Sequence, residues 1–240
     1  MLAGLFLITG CEDKNKDESL IFGTSADYRP FEYYEDGAMV GFEIDLAKAI
    51  AEKLGKKAEI KDMSFSAVLT ELQNGAIDVA VAALNPTEER RKSYDFTEVY
   101  HRSSIALVFR KDNKKLGPKS DLAELKIVAQ LGSFPERWVK KNRPAASIES
   151  VDNVAQATEF IKAEHADAIV MDTTVAISIC ADNKEFTYVV LEVSNDDDTG
   201  CAMAIKKDSS LKQRIDDVIR GMETSGELND LKKKWTVVSE

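Results

Sequence analysis

With 240 residues, 44% of them hydrophobic, the chain can bury a core sufficient for one or two domains. A formal net charge of −10 argues against a nucleic-acid binder, which needs a basic face. Two histidines and three cysteines fall into no metal-spaced cluster, and neither a Ser–His–Asp set nor a phosphate-binding loop is visible.

Met1–Gly10 is apolar and uncharged, and too short for a membrane span of about 20 residues. It reads as the apolar part of a secretory signal; the usual basic start is missing, which leaves open a start upstream of Met1. Ile8-Thr9-Gly10-Cys11 resembles a bacterial lipobox, and that resemblance implies that Cys11 carries a lipid as the first mature residue. An ordinary buried Cys is the alternative. Glu12–Ser19 has no apolar residue and is expected to be a tether.

Leu20–Thr24 reads as a first strand, followed by a loop with two aromatics and a proline, Ser25 to Phe31. Asp36-Gly37 marks a turn. Phe42, Leu46, Ile50 and Leu54 recur at spacing four, which predicts a helix over Gly41–Leu54 stopped by Gly55. Lys57–Lys61 is a strand and Ser66–Gln73 a short helix. Ile77–Val81 is a buried strand leading into a helix start, with Asn85 as N-cap, Pro86 first in the helix and Glu88 three residues past the cap. Val99–Arg110 is long enough to cross between domains. A second series follows: strand Lys126–Gln130, a helix after Gly132, strand Ser147–Val151, helix Asp152–Glu164 capped by Asp152, strand Ala168–Met171 ending in Asp172, and helix Thr173–Cys180. Phe186–Val193 is strand-like and offers a return crossing. Asp196–Asp198 reads as a solvated loop. Cys201–Ile205 is a strand, and helices follow at Leu211–Met222 and Glu227–Trp235. Whether Cys180 and Cys201 pair stays open, since secretion permits it and burial of free Cys is common. The strand–helix alternation predicts an α/β chain with mainly parallel sheets.

In such sheets ligands bind at the carboxyl ends of strands. Three points share that position. Ala83–Arg90 offers backbone N–H groups and a guanidinium, Gly132–Phe134 offers a hydroxyl and N–H groups, and Asp172 offers a carboxylate. Together they suit a zwitterion. Taken singly each has an ordinary reading: Arg90 as a solvated first-turn charge, Asp172 as a helix cap.

The sequence also resembles the periplasmic substrate-binding proteins of amino-acid ABC importers. The carriers are Gly23-Thr24-Ser25-Ala26-Asp27-Tyr28-Arg29-Pro30-Phe31-Glu32, Gly41-Phe42-Glu43-Ile44-Asp45-Leu46-Ala47, Gly75-Ala76-Ile77-Asp78, Pro86-Thr87-Glu88-Glu89-Arg90, Ser93-Tyr94-Asp95-Phe96-Thr97, Asp167-Ala168 and Asp172. The match runs from about Leu20 to Trp235. It implies a type II periplasmic-binding-protein fold: two α/β lobes joined by two crossing strands, assigned here to residues 20–107 plus 201–240 and to 108–200, after a signal and tether at 1–19. It also implies a ligand in the cleft, closure of the lobes, and docking of the closed form on a membrane permease. Carried over by position, Arg90 holds the ligand's carboxylate, Ala83 offers its carbonyl to the ammonium, and Asn85 offers N–H or amide contacts beside Leu84. Asp172 holds the ammonium from the other lobe. Ser133 and the Phe134 N–H close on the carboxylate, and Tyr28 and Phe65 sandwich the side chain.

Ser25 stands where members that bind cationic amino acids often carry an acid, and Phe134-Pro135 replace small polar residues and Gln. Aromatic walls suit a flat guanidinium or a ring. The expected ligand is therefore a cationic amino acid (arginine or lysine), then a neutral polar or aromatic one. The expected protein is a monomeric, lipid-anchored, extracytoplasmic binding protein, with no cofactor, metal, nucleic-acid partner or catalytic group. Two rivals are a ligand-sensing receptor domain and a cyclohexadienyl-dehydratase-like enzyme. Glu240 directly follows the last predicted helix, which disfavours the receptor. His101 and His165 read as packing or surface residues, which disfavours the enzyme.

Overall fold

The computed structural model describes residues 18–114, 116, 122–193 and 200–237. Cys11, the tether up to residue 17 and the run Asp196–Asp198 lie outside the described residues. No helix among the described residues is long and apolar enough to cross a membrane.

The chain runs β1 (Ser19–Thr24), β2 (Asp27–Tyr28), β3 (Glu32–Glu35), β4 (Ala38–Val40), α1 (Phe42–Lys53), β5 (Lys57–Asp62), α2 (Phe65–Asn74), β6 (Val79–Ala80), α3 (Glu88–Arg91), β7 (Tyr94–Phe96) and β8 (His101–Arg102). It continues with β9 (Ile105–Arg110), β10 (Lys126–Gln130), α4 (Phe134–Asn142), β11 (Ser147–Val151), α5 (Val154–Lys162), β12 (Ala168–Asp172), α6 (Thr173–Asp182) and β13 (Phe186–Leu191). It ends with β14 (Gly200–Cys201), β15 (Ala204–Lys206), α7 (Leu211–Ser225) and α8 (Glu227–Lys234).

Two five-stranded sheets share one plan. The first has the order β5-β1-β6-β15-β7, with β1 parallel to β5 and β6, and β15 antiparallel to β6 and β7. The second has the order β11-β10-β12-β9-β13, with β10 parallel to β11 and β12, and β9 antiparallel to β12 and β13. In each sheet the chain reverses direction of travel between the first strand and the third. Such a reversal opens a crevice at the carboxyl ends of those strands. Strands β8 and β14 pair antiparallel between the two sheets and form the double crossing.

The helices bury apolar stripes on the sheets. In α1 the residues Phe42, Leu46 and Ile50 are fully buried, as the spacing of four requires. Gly41 precedes that helix at φ 133°, and a Cβ there would lie 2.2 Å from the Phe31 carbonyl oxygen, so only glycine fits. One apolar core joins Phe22, Val79 and Ile205 of the first sheet to Val108, Val128 and Ile169 of the second.

Several expectations need correction. Val99–Arg110 is not one strand: it breaks at Ser103-Ser104, where the Ser103 hydroxyl turns to donate to Asp172 Oδ1 at 2.9 Å. Phe186–Val193 is not the return crossing, because β13 pairs along β9 as an edge of the second sheet. The cap of α5 is Asn153 rather than Asp152: Asn153 Oδ1 accepts from the Gln156 N–H, while the Asp152 N–H donates back to Gln156 Oε1. Strand β6 is two residues long, shorter than Ile77–Val81. Cys180 and Cys201 are free thiols.

Candidate functional site

The crevice of the first sheet is walled by the chain after β1 and after β6. Ala83, just past β6, sits at φ 45°, a left-handed conformation uncommon for a residue with a Cβ. A buried carboxylate holds it there. Glu43 Oε2 accepts from the Ala83 N–H at 2.9 Å, and Glu43 Oε1 accepts from the Tyr100 hydroxyl at 2.5 Å. Burial raises the Glu43 carboxyl above its ordinary range. The neighbouring Glu32 is pushed well above, by burial and then by Glu43. Two neighbouring buried carboxyls each disfavour ionisation of the other.

Asn85 is not the cap of α3. Its side-chain amide N–H donates to the Gly200 carbonyl at 3.2 Å on the crossing strand, and α3 starts only at Glu88, which puts Thr87 rather than Asn85 at the cap position. Thr87 caps instead, its hydroxyl accepting from the Arg90 N–H at 3.3 Å. The resulting helix is a single turn, Glu88–Arg91, with Arg90 on its buried side at 7% exposure. The Arg90 guanidinium donates from Nη1 to the Asn85 carbonyl at 3.0 Å and from Nη2 to the Gly132 carbonyl of the second lobe at 3.1 Å. Among the described residues its buried Nε finds no partner. Burial, and then the positive charge of Arg137, lower Arg90 to about 9, so it stays charged at neutral pH.

In the second sheet, Gly132 turns the chain at φ 77° and Ser133 caps α4, accepting from the Glu136 N–H at 3.2 Å. Glu136 returns the contact by accepting from the Gly132 N–H at 2.7 Å. Asp172, at the end of β12, caps α6: its Oδ1 accepts from the Thr174 N–H at 2.7 Å and from the Ser103 hydroxyl. Burial raises Asp172 to about 6 against these hydrogen bonds.

The lobes touch across the crevice. The Asp172 N–H donates to the Tyr28 hydroxyl at 3.2 Å. Asp27, on β2, accepts from the Gln130 side chain at 3.2 Å and from the Val154 N–H at 3.0 Å, so a first-lobe carboxylate meets the start of α5. Tyr28, Ala83, Asn85, Phe134 and Asp172 line one shared pocket with Ser103. Its volume is about 10 Å³, room for roughly one water. A larger solute enters only when the lobes part. Phe65 and Arg90 line the adjoining cavity of about 320 Å³, separated from the first by the Arg90–Asn85 and Arg90–Gly132 contacts. Arg90 lies over the Phe65 ring at 5.8 Å.

Three named residues stand apart. Ser25 donates to Asp27 Oδ1 at 2.9 Å. The Ser133 hydroxyl is taken by its cap. The Leu84 side chain is buried in the first-lobe core, with its carbonyl accepting from the Ala202 N–H at 2.9 Å. His101 is buried against Phe31, at 5.4 Å between rings, and Thr174, and is lowered by burial to about 4. A groove of about 650 Å³ lies along α5 and takes in Ser150 and Val151 at the carboxyl end of β11. Among the described residues no group of three or more His, Cys, Asp or Glu is arranged to hold a metal ion. Glu43, Asp27, Ser103 and Arg137 belong to the cleft and were not read from sequence. Asp27 had a signal, its place beside Tyr28 in the strand-end loop; Arg137 looked like any exposed helical charge.

The sequence pattern of the bacterial extracellular solute-binding proteins, family 3, matches residues 20–238. The arginine-binding extracellular protein ArtP of Bacillus subtilis (strain 168) is 35% identical over 237 residues, which cover 96% of this chain and 92% of that protein. The ABC transporter glutamine-binding protein GlnH of the same organism is 30% identical over 225 residues, covering 91% and 81%. An amino acid ABC transporter substrate-binding protein from Streptococcus pneumoniae, solved with L-arginine, superposes with a TM-score of 0.84 at 35% identity, covering 94% of this chain and 97% of that one.

Proposed function

The chain belongs to the bacterial extracellular solute-binding proteins, family 3, and from that premise we propose that it captures a free amino acid between its lobes and delivers it to an ABC transporter permease. The observation that supports this reading is the contact between the lobes at the proposed grip: Arg90 of the first lobe donates to the Gly132 carbonyl of the second, and the Asp172 N–H of the second donates to the Tyr28 hydroxyl of the first, which brings a cation-bearing turn and a carboxylate-bearing strand end to the same seam. The amino acid's carboxylate takes Arg90 with the N–H groups of Asn85 and Phe134, beside Ser133. Its ammonium takes Asp172 and the Ala83 carbonyl. Tyr28 and Phe65 flank its side chain. The carbonyl partners that Arg90 now has are weaker acceptors than a carboxylate, so exchange favours the ligand.

A cationic side chain is favoured, arginine first. The protein is acidic overall, Asp27 sets a carboxylate beside Ser25, and two of the relatives above are arginine-associated by name or by bound ligand. The protein works by binding rather than by catalysis, as a monomer outside the cytoplasm, held to the membrane by lipid on Cys11. One lobe holds the first sheet and the other the second, and the division falls at Ser103-Ser104 rather than at residue 107, because β9 (Ile105–Arg110) lies wholly in the second sheet.

A thermal-shift screen of the twenty amino acids tests the reading. A ligand at 1,000 times its Kd adds about 4 kcal/mol to the folded state, so arginine should raise the melting temperature by several degrees. A flat response to all twenty would overturn the function. Retention of a Cys11→Ser variant in the membrane fraction would overturn the anchor, and turnover of arogenate would overturn the non-enzyme assignment.

A further inference from the structure

The cleft contains a second guanidinium that the grip described above leaves unused. Arg137 of α4, in the second lobe, lines the same 320 Å³ cavity as Arg90 of α3, in the first. Among the described residues, Arg90 Nε and Arg137 Nη2 each lie buried without a hydrogen-bond partner. The Nη atoms of Arg90 are taken by carbonyl oxygens, which are neutral. Glu89, an exposed residue, is the one carboxylate among the described residues that line the cavity. Two guanidiniums against that single carboxylate leave the lining with one positive charge in excess. The other acid acting on Arg137 is Glu136, which already accepts from Lys140, Ser150 and the Gly132 N–H. Like charges on opposite lobes, with buried donors left over, oppose closure unless an anion lies between them.

We propose that Arg90 and Arg137 together form a carboxylate-sized anion site shared between the lobes and assembled when they meet. The planar forks suit a carboxylate, and one such group matches the excess charge. The carboxylate comes from the bound amino acid itself or from a free anion beside it; the recognition chemistry is the same. An anion at this point converts repulsion across the seam into attraction, so closure follows carboxylate binding. The inference rests on the reading of Arg90 as a carboxylate holder.

Saturation-transfer NMR on the proton of sodium formate, a bare carboxylate, tests the site in the parent protein, Arg137→Gln and Arg137→Lys. Transfer is expected in the parent. In Arg137→Gln the apparent formate affinity should fall about tenfold or more, the effect of losing one charge-assisted hydrogen bond, with partial recovery in Arg137→Lys. Melting temperatures of the three proteins should agree, separating a site effect from misfolding. No transfer in the parent, or equal affinity in Arg137→Gln, overturns the proposal. Adding L-arginine then names the source. Displacement of formate assigns the site to the amino acid's own carboxylate, and persistence assigns it to a separate anion. A protein that responds to no amino acid yet shows Arg137-dependent formate transfer would lose the proposed function and keep this site.

Discussion

Asp172 is the residue whose ionisation decides most. Its carboxyl is raised by burial from an ordinary value of 3.8 to about 6. Between these values the folded protein holds a proton that the unfolded chain has released. Stability contributed by this group is therefore fully present below about pH 4 and is lost as pH rises through about 6. Binding runs the other way, because an ammonium needs the ionised form. Affinity for L-arginine is expected to fall as pH drops below about 6, with proton release on binding near pH 5.5. Calorimetry in two buffers of different ionisation enthalpy measures this. Replacement of Asp172 by Asn should remove the proton release, and replacement of Arg90 by Ala should weaken binding by roughly 2–5 kcal/mol, the cost of breaking a buried charged pair. Parent-like titrations from both variants would remove these roles. At Gly41 the expectation concerns stability alone. Gly41→Ala meets the Phe31 carbonyl and a disfavoured φ, and should destabilise by about 1–3 kcal/mol in urea unfolding.

At the scale of elements, strand ends and helix starts do the positioning. Each cap restrains a cleft residue: Thr87 orients the turn that carries Arg90, Ser133 the start of α4, and Asp172 its own helix. The β2 strand has a different task. Through Asp27 it gives α5 an acceptor from the opposite lobe, a contact that exists only when the lobes touch. Asp27→Ala should therefore lower affinity by about 3–10-fold through a smaller closed population, with faster ligand release and little change in the melting temperature of the ligand-free protein. Stopped-flow fluorescence separates these effects; an unchanged release rate would falsify the latch. Glu43 links two elements by tying α1 to the loop after β6, and its burial explains how Ala83 keeps a left-handed backbone.

For the whole molecule, the shared plan of the two sheets is what makes a cleft. Matching reversals of strand order give each sheet a crevice at its strand carboxyl ends, and the β8–β14 pair is the double crossing about which the proposed closure would turn. A pocket of about 10 Å³ with cross-lobe hydrogen bonds is a closed form. Ligand must enter another form and select this one. Small-angle scattering should show a smaller radius of gyration with L-arginine than without it; equal radii would show that binding does not close the lobes.

Sequence alone determined what is local. The period-four stripe fixed α1, and strands Lys126–Gln130 and Ser147–Val151 were delimited correctly because apolar runs and turn residues bound them on both sides. The strand ends, and with them Arg90 and Asp172 as cleft candidates, were legible for the same reason. Only the tertiary structure decided what depends on partners distant in the chain. Asn85 turns its amide N–H to the Gly200 carbonyl, 115 residues away, while Thr87, directly before the first residue of α3, caps the helix. The long run Val99–Arg110 broke because Ser103 serves Asp172, 69 residues on. Arg137 joined the cleft because closure of two lobes brings α4 against α3. Propensity and periodicity report a residue's neighbours in sequence, whereas a buried hydrogen bond or an unpaired charge is set by whatever the folded chain brings beside it.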